Sequence, residues 1–196
     1  VELGFGQLLD IVAEMHPGVD PGIVSARLKY FQRLPEPFPS KATVIGAGAR
    51  AEYSADDLLG LVLAFEVLAS GIAPLQAATL VRDGWKNLSR SFAKAWAARA
   101  LHEPMVVMMR VEGLGSKRGA AGSTTVGDEV DLRNWAVGKD TEDRRLVVFE
   151  MGRVARSLDA ALSATQPFKR VLTILKLIET WRQAVLAQVP IRRTGT

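Results

Sequence analysis

Apolar residues spaced three or four apart run through the first hundred positions, and compact apolar runs interrupt that spacing only afterwards. Leu8, Leu9, Ile11, Val12 and Met15 predict a short helix from Gly6 to Met15, closed by His16, Pro17 and Gly18. Pro21 and Gly22 open a second helix, with Ile23, Val24, Leu28, Phe31 and Leu34 in one apolar stripe and Arg27, Lys29, Gln32 and Arg33 projecting elsewhere. Phe31 continues the stripe, so it is expected to face inward and Tyr30 outward. Pro35, Pro37 and Pro39 end helical structure. Beyond them Gly46 and Gly48 separate Thr43, Val44 and Ile45 from Ala51, Glu52 and Tyr53, the pattern of a β-hairpin or wing.

Ser54, with Asp57 three residues on, marks a helix start, and Leu58, Leu61, Val62, Phe65 and Leu68 follow at helical spacing up to Gly71. Pro74 opens a further helix expected to reach about Leu101, a length suited to a strut between parts. Met105 to Val111 and Arg145 to Met151 have the composition of buried strands. The polar stretch between them, Gly113 to Asp143, is expected to be a long loop or a mobile insertion. Helices are predicted over Gly152 to Ser163 and Pro167 to Val189, the last with a broad apolar face of the kind used in oligomers. The expected fold is mainly α with minor β: an N-terminal winged helix-turn-helix, a long helix, and a small α+β C-terminal module. A division near Pro104 would give units 1–103 and 104–196.

Composition narrows the chemistry. With 196 residues and 48% hydrophobic content a normal core can form, and a net charge of +4 with a pI near 9.6 favours polyanionic partners. The chain has no cysteine and only His16 and His102, which excludes thiolate sites and histidine-rich metal clusters. No apolar stretch approaches the ~18 residues of a membrane span and no signal-peptide pattern opens the chain, so a soluble cytoplasmic protein without a membrane partner is expected. Gly-x-Ser-x-Gly, a phosphate-binding loop and His-Glu-x-x-His are absent, and Gly113 to Lys117 is too short for such a loop. No enzyme activity and no cofactor are expected.

Function rests on the second helix. Ser25, Arg27, Lys29, Tyr30 and Arg33 are of types that grip phosphates or read base edges, and the wing adds Lys41 and Arg50. A short basic run alone is more often a solvated helix face. The order of helix, turn, basic helix, wing and capped helix turns the balance toward duplex DNA. Other singular residues have ordinary explanations: Trp85 and Trp96 as packing, His16 and His102 as helix-end residues, and Asp56 and Asp57 as acids at a helix N-terminus. The acids between Asp128 and Asp143 suit a solvated loop or a cover for a basic neighbour.

The run Leu28-Lys29-Tyr30-Phe31-Gln32-Arg33-Leu34 resembles the recognition-helix segment of MerR-like winged regulators. Arg50 to Leu61 resembles that family's wing-to-helix segment, and Ala69 to Leu75 its next helical turn, so the likeness spans roughly Gly6 to Val81. Lys29 stands where the family usually carries Arg, and the turn from Gly18 to Ser25 is longer. The resemblance implies a homodimer on a palindromic operator, with Lys29, Tyr30, Arg33, Arg50 and Tyr53 as contacts or their supports. The expected partners are double-stranded DNA, a second copy of the chain and a small-molecule effector. The competing readings are a protein–protein adaptor that docks through the helix-turn-helix and last helix, and a small-molecule sensor with its pocket between the two apolar runs and the tryptophans.

Overall fold

The computed structural model describes residues 3–34, 52–101, 105–111, 124–127 and 145–188. Within them the chain is mainly helical with minor β structure. The helices are α1 (Phe5–Met15), α2 (Pro21–Gln32), α3 (Ala55–Ala69), α4 (Pro74–Ala98), α5 (Met151–Thr165) and α6 (Phe168–Ala187). The strands are β1 (Leu3–Gly4), β2 (Glu52–Tyr53), β3 (Val106–Val111), β4 (Thr124–Gly127) and β5 (Arg145–Glu150). No helix among the described residues is long and apolar enough to cross a membrane.

Local chemistry sets the helix ends. The Ser54 hydroxyl accepts the Asp57 backbone N–H at 3.2 Å while the Asp57 carboxylate accepts the Ser54 N–H at 2.8 Å, a reciprocal cap that starts α3 at the predicted place. Gly71 ends it with φ at 82°, its N–H donating to the Leu68 carbonyl at 2.9 Å. That left-handed conformation carries no penalty for glycine. Pro74 then occupies the first turn of α4, where its missing N–H costs nothing.

Helix α3 is enclosed on every side, with Asp57 through Leu68 all buried. Its residues are apolar nearly all round, a composition that is stable only inside a core. Phe65 meets Phe31 of α2 edge-on at 6.0 Å and the His16 ring at 5.8 Å. At the other end of the helix, Trp181 of α6 donates its indole N–H to Asp56 at 2.8 Å. Trp181 also contacts Trp85 and Phe92 of α4, so these aromatics pack against one another as expected.

The division anticipated near Pro104 does not part the core. One cluster of buried side chains takes in Leu8 and Ile11 of α1, Leu88 and Trp96 of α4, Val107 and Phe149 of the sheet, Leu158 of α5 and Ile178 of α6. Helix α5 lies directly against both α1 and α4. The long helix is therefore a wall of the interior rather than a strut, because residues on several of its faces are apolar or small.

The β structure departs from expectation in two places. Glu52 and Tyr53 pair antiparallel with Gly4 and Leu3, a partner strand that precedes α1; residues 43–51, which hold the rest of the expected hairpin, lie outside the described residues. In the second sheet β3 is central, antiparallel to both β4 and β5, with Met108 opposite Thr125 and Val148. Strand β4 falls within the stretch expected to be loop or insertion, where Thr124, Thr125 and Val126 are the β-prone residues. Strand β5 alternates, with Val147 and Phe149 buried and Val148 exposed, so it is half-buried rather than wholly internal.

Candidate nucleic-acid interface

Helix α2 begins at Asp20, whose carboxylate accepts the backbone N–H groups of Gly22 at 2.7 Å and Ile23 at 3.3 Å. Val24, Leu28 and Phe31, at i, i+4 and i+7, are buried and fix which face turns inward. The opposite face exposes Lys29, Tyr30 and Arg33, with Ser25 and Arg27 half-buried on its two flanks. All five predicted α2 residues thus lie on or beside one outward surface. The expected orientation of Tyr30 and Phe31 holds, with the first 43% exposed and the second fully buried.

The charges that α2 itself carries are of one sign, and the nearest acid in sequence is its cap, Asp20. Helix α2 contains no acidic residue, and among the described residues no carboxylate forms an ion pair with Arg27, Lys29 or Arg33. The Lys29 ammonium lies 5.9 Å from the centre of the Phe5 ring, which places its charge at the seam between α1 and α2.

Ile23, assigned to the apolar stripe, is 48% exposed. The stripe is satisfied by Val24, and a neighbour one position earlier is carried about a quarter turn round the helix, out of the core. Tyr53, expected as a contact or the support of one, is only 3% exposed, and its hydroxyl accepts a hydrogen bond from the Gln32 side-chain amide. Burial, reinforced by the Asp57 charge, pushes its pKa up to about 12. Tyr53 therefore supports α2 from behind and presents nothing to a ligand. Lys41, Arg50 and His102 lie outside the described residues.

Behind the basic helix is a polar node that the sequence reading missed. Glu66, buried on α3, accepts from the guanidinium of Arg153 on α5 at 2.7 Å. His16, at the end of α1, lies in the same field, and its buried Nε2 has no hydrogen-bond partner among the described residues. Burial holds the His16 pKa below the usual imidazole value against the opposing pull of Glu66, and Arg153 and Arg27 lower it further. The isolated acid in the apolar α3 sequence was the available signal for this node.

The unfolded chain takes up the His16 proton at an ordinary pKa near ~6.5 while the folded chain resists it, so stability is lost as pH falls through that value. Denaturant titrations between about pH 7.5 and 5.5 are expected to show this loss, and His16→Gln is expected to shrink it. An unchanged pH dependence in the variant would assign the effect elsewhere.

Trp181 packs against Trp85 and Phe92, and Phe92 stacks on Trp96. An open cleft of about 400 Å³ lies between the end of α4 and α5, lined by Arg99, Arg156, Asp159 and Ser163 among others. Arg99 is held there by Asp159 at 3.2 Å and lies over the Trp96 ring at 4.3 Å. Comparison of the chain with protein-family models, with curated proteins and with solved structures gave no match.

Proposed function

We propose that this chain is a sequence-specific DNA-binding transcriptional regulator that acts as a homodimer, with α1, the turn and α2 as its helix-turn-helix and the segment between Leu34 and Glu52 as its wing. The outward face of α2 carries the reading: three exposed or half-exposed cations, no acid, and Ser25 and Tyr30 as hydrogen-bonding neighbours. Major-groove binding asks for such a helix, buttressed by a preceding one. The pairing of β1 with β2 supports the wing, since it fixes the segment's return beside the start of α1. Homodimerisation is supported by α6, where Phe168 and Leu172 are 76% and 52% exposed on adjacent turns of one face. A small-molecule effector would occupy the cleft beside Arg99.

Arg27→Ala combined with Arg33→Ala tests the interface. Each arginine is expected to contribute ~1–3 kcal/mol to binding, so affinity for a selected duplex should fall at least about 30-fold while the melting temperature stays near that of the parent chain. Fluorescence anisotropy with labelled duplex measures this. An adaptor that docks partners through α6 would keep its partner in the double variant; retention of full duplex affinity would remove α2 from the interface.

A further inference from the structure

We infer that Ile23 is a specificity-determining residue that reads the methyl group of a thymine in the major groove. The inference rests on the DNA-binding reading above and extends it from affinity to base choice. Ile23 stands in the first turn of α2, where a helix entering the major groove brings its residues to the base edges. It is 48% exposed, and Arg27 and Tyr30 follow it at i+4 and i+7 along one strip of the helix. The core does not need it, because Val24, Leu28 and Phe31 already supply the inward stripe.

Its neighbours define what it meets. Cations on the same helix grip phosphates or guanine and hold the strip against the groove. Gly22 precedes Ile23 and Ala26 follows three positions on, so small side chains flank it and leave room for close approach. An aliphatic side chain has no hydrogen bond to offer a base edge. The apolar group displayed in the major groove is the C5-methyl of thymine. Asp20 anchors the backbone N–H of Ile23 itself, so the side chain leaves from a fixed point.

The experiment begins by selecting bound duplexes from genomic fragments with the full chain, then replacing each thymine of the site singly by deoxyuridine, which removes only the methyl group. At one thymine of each half-site the replacement should lower wild-type affinity about fourfold, the worth of one methyl group taken out of water. Ile23→Ala should be indifferent to the same replacement, and Ile23→Val should retain part of the discrimination. Equal loss in wild type and Ile23→Ala at every thymine would overturn the assignment while leaving DNA binding intact. Selection of no duplex at all would overturn the DNA-binding reading itself. Ile23 is exposed, so circular dichroism of the alanine variant should match the parent.

Discussion

Raising monovalent salt from 50 to 200 mM should weaken duplex binding by about 10³-fold if Arg27, Lys29 and Arg33 of two copies each neutralise a phosphate. Each neutralised phosphate contributes about 0.9 to the logarithmic salt slope, so six contacts give a slope near −5.4. A single copy with three contacts would give a slope near −2.7 and lose only about 40-fold over the same range. The titration therefore tests the charge on α2 and the number of copies together. The cations are placed for this role because none is engaged by a carboxylate among the described residues. A slope near zero would show that any DNA affinity does not come from this face.

Trp96→Ala should cost about 3–5 kcal/mol of folding stability, a large part of the ~5–15 kcal/mol that holds a typical domain together. Trp96 is 1% exposed, its ring stacks on Phe92 at 5.9 Å, and the Arg99 guanidinium covers it at 4.3 Å. Truncation removes the surface that Trp96 shares with both Phe92 and Arg99 and leaves a cavity beside the last turn of α4. Because the core is continuous from α1 to α6, the variant should unfold in one transition by circular dichroism and tryptophan fluorescence alike. Two separated transitions, with the fluorescence of Trp181 surviving the first, would show that the halves hold together independently.

Sequence periodicity located the helices well because their signals are local. Ser54 and Asp57 are three residues apart, Gly71 and Pro74 punctuate neighbouring helices, and Val24, Leu28 and Phe31 repeat at one face, so each boundary is set by residues within a turn of it. The candidate site was legible to the same extent: the type and outward placement of Lys29, Tyr30 and Arg33 follow from helix geometry alone. What escaped depends on distant partners. Two-residue strands such as β1 have no periodicity to read, and the partner of Leu3, Tyr53, lies beyond both α1 and α2 in the sequence. Tyr53 is aromatic with a polar tip, and nothing nearby in sequence says that Gln32 will take its hydroxyl into the interior. The single core escaped for a different reason. Reading α3 for one apolar stripe overlooked Leu59, Leu63, Ala64 and Val67 on its remaining faces, which already required cover from every direction.

The contact of α5 with α1 bears on how this protein would be governed. Gln7 in the first turn of α1 donates to Gln166 just past the end of α5 at 3.2 Å, and the two helices share one set of buried side chains. The helix that buttresses α2 and the helix that borders the Arg99 cleft are thus walls of one close-packed interior, joined without a tether. A wall of such an interior cannot shift by even a methyl's width without moving its neighbour or opening a void. On the proposed function, occupancy of the cleft would reach α2 through the packed helices behind it, rather than through the capture or release of a separately swinging head.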